Sequence, residues 1–173
     1  MSNLPEHGRI DCTDCFSQKD VTFDHTKESD GGWRITANPL AWGNLTAEVI
    51  VLGFSKGPTQ AGALASTLHN EIAYKGSRLN VGRILAHVSL LPKTDYAQLR
   101  STVDREISSK NGRFHFGSFI KCTVERLDPK SGKWKGSGGG MLDKFVATDF
   151  GRRWQETAPH VSLVSCRIIR SWL

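Results

Sequence analysis

The stretch Ala47-Glu48-Val49-Ile50-Val51-Leu52-Gly53 does most to limit the fold. A short, nearly unbroken apolar run rich in β-branched residues and closed by glycine is the pattern of a strand buried in a parallel sheet. The residues that follow, Phe54-Ser55-Lys56-Gly57-Pro58-Thr59-Gln60, lead into a predicted helix reaching about His69. Pro58 suits the first helical turn, where its missing N–H would have no partner in any case. Strand, loop and helix in this order predict an α/β sheet whose ligand crevice lies at the carboxyl end of the strand.

Further along, Leu79, Ile84, Leu85, Val88 and Leu91 fall on one helical face, as do Tyr96, Leu99, Val103 and Ile107, so two core-facing helices are predicted over 78–91 and 95–108. A second strand is expected over Phe114 to Cys122, after the turn Lys110-Asn111-Gly112. Residues 125–141 read as a basic, glycine-rich surface insertion. A short helix near 142–147 and a last amphipathic helix around His160 to Leu173, carrying Cys166, complete the reading. Residues 1–46 show no sustained period and read as an irregular segment held down by Phe16, Trp33, Pro39 and Trp42. Two or three strands make a small sheet for 173 residues, and the expectation is that further strands of the parent fold are missing.

That length is one domain, 1–173, large enough to bury a core without disulfide staples. The longest apolar run, Val49 to Leu52, is far too short to cross a bilayer, and the polar N-terminus has no apolar signal region. We therefore expect a cytoplasmic monomer with no membrane contact. In that setting four cysteines are thiols: Cys12 and Cys15 as a Cys-x-x-Cys pair, Cys122 and Cys166 alone. Spacing alone leaves a metal centre and a set of core cysteines both open.

The net charge of +6 is compatible with a nucleic-acid partner. Lys130, Lys133 and Lys135 surround Trp134, and Arg152 and Arg153 adjoin Trp154; cations among aromatics suit a phosphate backbone with a stackable base. A solvated loop has the same composition.

Nucleotide-binding fingerprints are not met around Gly53, since neither Gly-x-Gly-x-x-Gly nor the Walker pattern is present. Gly53-Phe54-Ser55-Lys56-Gly57 does match the nucleophile elbow of serine hydrolases. A triad would further need an acid and then a histidine downstream, and of the later histidines His160 alone lies near the end.

The segment from Gly43 to Gly57 resembles, without a gap, the first motif of the iron-sulfur (family 4) uracil-DNA glycosylases, roughly GNPxAEVMFVGEAPG. Cys12 and Cys15 stand where that family has its first cysteine pair. Ala73-Tyr74-Lys75-Gly76 is similar to its Pro-Phe-Val-Gly, and Ser118-Phe119-Ile120-Lys121-Cys122 to its Asn-Val-Val-Lys-Cys. Cys166, ahead of a Trp-Leu pair, looks like the fourth cysteine.

The resemblance implies a three-layer α/β/α fold around a mainly parallel sheet, and a four-iron, four-sulfur cluster on Cys12, Cys15, Cys122 and Cys166, with zinc or no metal as alternatives. It also implies a DNA-repair protein, nucleoid-associated, that binds DNA and hydrolyses the N-glycosidic bond of a deaminated or modified base extruded from the helix. By matched position, Gly53, Phe54, Ser55, Tyr74 and Ser118 would form the base pocket, with Tyr74 the stacking ring. Lys130, Lys133, Trp134 and Lys135 would meet DNA. Phe54 stands where the family has its acidic residue, Ser118 where it has a base-reading asparagine, and the family's His-Pro-Ser loop would lie beyond Leu173. These departures leave a non-catalytic DNA-binding module of the same fold as the alternative.

Overall fold

The computed structural model describes residues 4–136, 138 and 141–157, together with the backbone of 167–170. The strand predicted first is β5 (Val49–Gly53), and β6 (Phe114–Ser118) lies parallel to it, Val49 opposite Phe114 and Gly53 opposite Ser118. On its other side β5 pairs, again in parallel, with β9 (Arg167–Arg170). The remaining members come from the N-terminal segment: β4 (Leu40–Gly43) runs antiparallel to β6, and β1 (Gly8–Arg9) antiparallel to β4. The five strands stand in the order β1-β4-β6-β5-β9, so the sheet is mixed rather than mainly parallel.

β4 is Leu-Ala-Trp-Gly, buried at every position and too short to display a period. Its last residue has to be glycine. Gly43 has φ +93°, and a Cβ there would stand 2.3 Å from the Phe114 carbonyl oxygen.

The helix expected to run from Pro58 to His69 is two short pieces, α1 (Pro58–Gly62) and α2 (His69–Ile72). Gly62 and the Ser66-Thr67 pair lower helix propensity between them. α4 (Tyr96–Ser108) forms as predicted and α3 (Arg78–His87) forms but stops short of the predicted residue 91; α4 is capped by Asp95, whose carboxylate accepts the Gln98 N–H at 2.9 Å. Val81, Leu85, Leu99, Val103 and Ile107 join Trp42, Val49, Val51, Phe114 and Phe116 in the first core. Val88, at the C-cap of α3, and Tyr96, at the first position of α4, are exposed instead; the Tyr96 ring carries the Arg83 guanidinium 5.8 Å from its centre.

A second sheet was not foreseen. β2 (Lys27–Asp30), β3 (Trp33–Thr36), β7 (Thr123–Leu127) and β8 (Trp134–Gly136) form it in that order, antiparallel throughout. Gly31 and Gly32, both at positive φ, make the two-residue β2–β3 turn. Trp33, Ile35 and Val124 on its inner face pack with Phe145 of α5 (Leu142–Val146) and Phe150 of α6 (Asp149–Thr157).

Several expectations are thereby corrected. Residues 1–46 are not irregular, because four short strands lie within them. The strand expected over 114–122 stops at Ser118, and the supposed insertion 125–141 contains most of a β-hairpin. The last helix is replaced over 167–170 by β9, whose Arg-Ile-Ile-Arg core is β-branched. Cys166 and His160 lie outside the described residues. Among the described residues no helix is long and apolar enough to cross a membrane.

Candidate metal centre and base-binding edge

Three of the four cysteines converge. Cys12 and Cys15 flank a turn closed by Phe16 N–H donating to Thr13 O at 2.9 Å. Cys122 ends the connection from β6 into β7. All three are free thiols, and Cys15 and Cys122 are buried. Burial raises the pKa of each, Cys122 to about 11. Ionising Cys122 or Cys12 would raise Cys15 further, so the three sulfurs sit within one another's electrostatic reach. Arg153 of α6 holds the pair in place: it donates to Cys15 O at 3.1 Å and ion-pairs with Glu28 of β2.

Lys56 lies against this group. It is 1% exposed, its ammonium donates to the Lys121 carbonyl, and its backbone forms an isolated parallel bridge with Thr123. Burial pulls its pKa down to about 8, and Cys122 is the largest influence in the other direction. Lys121, shifted downward by burial, is likewise favoured by Cys12 and Cys122. A backbone hydrogen bond from Asn38 favours the Cys122 thiolate.

Whether these residues fit a thiolate-bound metal group can be judged from their chemistry. The donors are soft sulfur, which suits zinc or an iron-sulfur cluster. The buried Lys56 ammonium, with half-buried Lys121 beside it, favours an anion that neutral thiols do not provide. On both counts the residues fit. Among the described residues no three His, Cys, Asp or Glu side chains already stand in ligating geometry.

The residues expected to form a base pocket gather at the carboxyl end of the parallel strands, though not all face outward. Gly53 pairs with Ser118, and the chain beyond continues the contact, Phe119 N–H donating to Gly53 O at 2.7 Å and Ile120 N–H to Phe54 O at 2.8 Å. Ser55 Oγ is buried without a hydrogen-bond partner. Among the described residues no histidine meets it, and His160, the histidine the serine-hydrolase reading names, lies outside them.

Tyr74 is a core residue and not an open stacking ring. Its hydroxyl lies 3.1 Å from both the Val51 and Gly117 carbonyls, bracing β5 and β6, and its ring meets Phe116 edge-on. Burial pushes its phenol upward. The open aromatic surface belongs to Phe119, exposed beside Ser118 and tilted against Trp154 at 5.1 Å. Phe54 turns into the second core, edge-on to Phe145 at 6.1 Å.

The hairpin cations are less free than their sequence implies. Asp128 ion-pairs with Lys135 and accepts from Lys130 N–H and the Ser131 hydroxyl, which together hold its carboxyl down at about 2. The Trp134 ring has the Arg34 guanidinium 4.4 Å from its centre, and Arg34 pairs with Glu125. Lys130 and Lys133 are exposed. A Cβ at Gly136 would stand 2.5 Å from Pro58 Cδ, so the hairpin docks on the start of α1, beside the same edge. Two cavities, of about 510 and 600 Å³, lie elsewhere: one around Asn44, Glu48 and Arg113 at the amino ends of β5 and β6, the other around His7, Arg9 and His69 beside β1.

Lys56, Asn38 and Phe119 were not singled out from the sequence as site residues, and Arg153 was read as a cation for a phosphate backbone rather than as a support of the Cys15 loop. For Lys56 a signal existed, a lone lysine in the loop that closes a buried strand. Comparison with family models, curated proteins and solved structures gives no match for this chain.

Proposed function

We propose that this chain is a uracil-DNA glycosylase-like DNA-repair protein, an α/β/α domain that binds DNA and holds a four-iron, four-sulfur cluster on Cys12, Cys15 and Cys122, with Cys166 as the fourth ligand. The observation that carries the reading is the approach of three cysteines from remote parts of the chain to one another beside the buried Lys56, which no carboxylate pairs with among the described residues. When bound, the cluster supplies an anionic cross-link between the N-terminal segment and the β6–β7 connection. DNA lies along the carboxyl edge of β5 and β6. A base extruded from the duplex stacks on Phe119 and meets the Ser118 hydroxyl, while Lys130 and Lys133 of the docked hairpin contact phosphates. The protein works as a monomer on nucleoid DNA.

A second reading, binding without base excision, is favoured by Phe54. A ring packed against Phe145 cannot orient water or balance charge on the sugar. Two measurements test the proposal together. Iron and acid-labile sulfide are assayed on protein purified without oxygen, beside Cys122→Ser; near four irons per chain, lost in the variant, is expected, and zinc or no metal refutes the cluster. Oligonucleotides containing uracil or hypoxanthine then divide the readings: abasic product above a no-enzyme control indicates excision, whereas salt-sensitive binding without product indicates the module. Absence of binding refutes both.

A further inference from the structure

We infer that the cavity beside β1 binds a phosphate monoester, at a site separate from the metal centre and from the edge where DNA is proposed to lie. It depends on neither. The cavity is about 600 Å³, an ordinary volume for a small-molecule site. Its walls come from β1, the loop at Phe23, β4, α2 with the chain before it, and the turn after α4.

Charge on this lining has one sign. Arg9 and Lys110 line it with His7 and His69, no aspartate or glutamate does so among the described residues, and neither cation forms an ion pair among them. Bringing two like charges to one cavity costs energy that a bound anion recovers. Arg9 is already oriented: its guanidinium lies 4.2 Å above the centre of the Phe23 ring, which leaves the N–H edges of the fork for an oxyanion. The imidazoles are oriented too. Gly43 N–H donates to His7 Nδ1 at 3.0 Å, so the ring proton of neutral His7 is on Nε2. His69 stacks on Trp42 at 5.0 Å with its Nε2 3.0 Å from Ala41 O, and His7 meets it edge-on at 5.0 Å. Burial lowers the pKa of both rings, and Lys110 acts on each in the same direction. Two cations and a fixed N–H donor are matched by a phosphate monoester, which carries close to two negative charges and three strong acceptor oxygens. Phe23, Leu40, Leu64 and Ile72 add an apolar surface that suits an organic body attached to the phosphate.

The test is calorimetric titration of the full chain with adenosine monophosphate, inorganic phosphate and adenosine, repeated with Arg9→Met, Lys110→Met and the double variant. Lys93→Met, an exposed lysine outside the cavity lining, controls for net charge. Adenosine monophosphate is expected to saturate a single site, with adenosine about tenfold weaker or worse. Each cavity substitution should weaken it about tenfold, the effect of one charge-assisted hydrogen bond, while Lys93→Met stays at wild type. Arg9 and Lys110 are exposed, so both variants should keep the wild-type melting temperature. Competition by an oligonucleotide with a terminal phosphate, but not by the same oligonucleotide with a terminal hydroxyl, supports the site and assigns the monoester to a DNA end; competition by inorganic phosphate alone supports it and assigns the ligand to a free small molecule. Equal competition by both oligonucleotides, no saturable binding, or unchanged affinity in the double variant overturns the inference.

Discussion

Replacing Asn38 by alanine should lower stability by about 2–4 kcal/mol, because its side chain ties the segment around Asp24 to the start of β7. Asn38 is 0% exposed; its Oδ1 accepts from Thr123 N–H at 2.8 Å and from the Thr123 hydroxyl at 3.0 Å, and its Nδ2 donates to Asp24 at 3.0 Å. Thr123 follows Cys122 directly and is itself 2% exposed, so water cannot replace the lost acceptor. The stranded amide costs about 1–3 kcal/mol, and the hydroxyl and Asp24 bonds, both able to find other partners, add about 1 kcal/mol. For a chain of this size the melting temperature should fall by about 5–15 °C. Urea denaturation should show a lower midpoint with an unchanged slope. Adding Thr123→Val should cost less in the Asn38→Ala background than alone, by about 1 kcal/mol of coupling. A loss below about 0.5 kcal/mol, or no coupling, refutes the account.

Gly136→Ala forces a Cβ to within 2.5 Å of the rigid Pro58 ring, which should cost about 1–3 kcal/mol; trypsin should then cut the hairpin at Lys133 or Lys135 faster than in wild type, and equal rates would show that the hairpin is not docked. Tyr74→Phe removes a hydroxyl shared by two carbonyls and should lower stability by about 1 kcal/mol with DNA affinity unchanged; weaker DNA binding at equal stability would return Tyr74 to the base pocket. His115 is buried with a pKa pulled down by that burial to about 4, against 6.5 when unfolded. Over that interval the unfolded chain holds the proton that the folded one lacks, so stability falls as pH drops from 6.5 to 4, by of the order of 3 kcal/mol. His7 and His69 shift the same way and add to the slope. His115→Gln should flatten the dependence measured by denaturant midpoint, and an unchanged slope assigns it to other groups.

What could be read from sequence followed pattern length. β5 and the two amphipathic helices carry enough apolar periodicity to be recognised, and the parallel pairing of β5 with β6 followed from it. β1 to β4 could not be read, because strands of two to four residues hold no period, and Leu40-Ala41-Trp42-Gly43 is buried on both sides. The hairpin was hidden for a different reason. Its lysines and glycines look like loop, yet Asp128 draws Lys135, Ser131 and the Lys130 amide into a turn that closes β7 on β8. Within the site, spacing left the cysteines open between a metal centre and the core, and it was the family resemblance that named them as a set; the approach of Cys122 to Cys12 and Cys15 depends on a sheet whose strands lie far apart in the chain, β3 against β7. Tyr74 failed as a stacking ring since nothing in its neighbours announces that its hydroxyl braces two strands.

Phe54 decides what a catalytic version of this edge would require. Its ring belongs to the cluster formed by Trp33, Phe145, Phe150 and Trp154, the same cluster that encloses Cys15 and Cys122. A carboxylate at 54 would place an unpaired charge against Phe145, at a cost of several kcal/mol. Phe54→Glu should therefore destabilise the second core and the cysteine loop before it could orient water. Any water delivered to a bound base has to be held from another side of the edge, where Ser118 carries a hydroxyl and Ser55 Oγ lies buried with no partner among the described residues. Ser55→Ala, which removes a buried hydroxyl without a partner among the described residues, should leave stability near wild type. If excision is observed and survives this change as well as Ser118→Ala, neither serine positions the water.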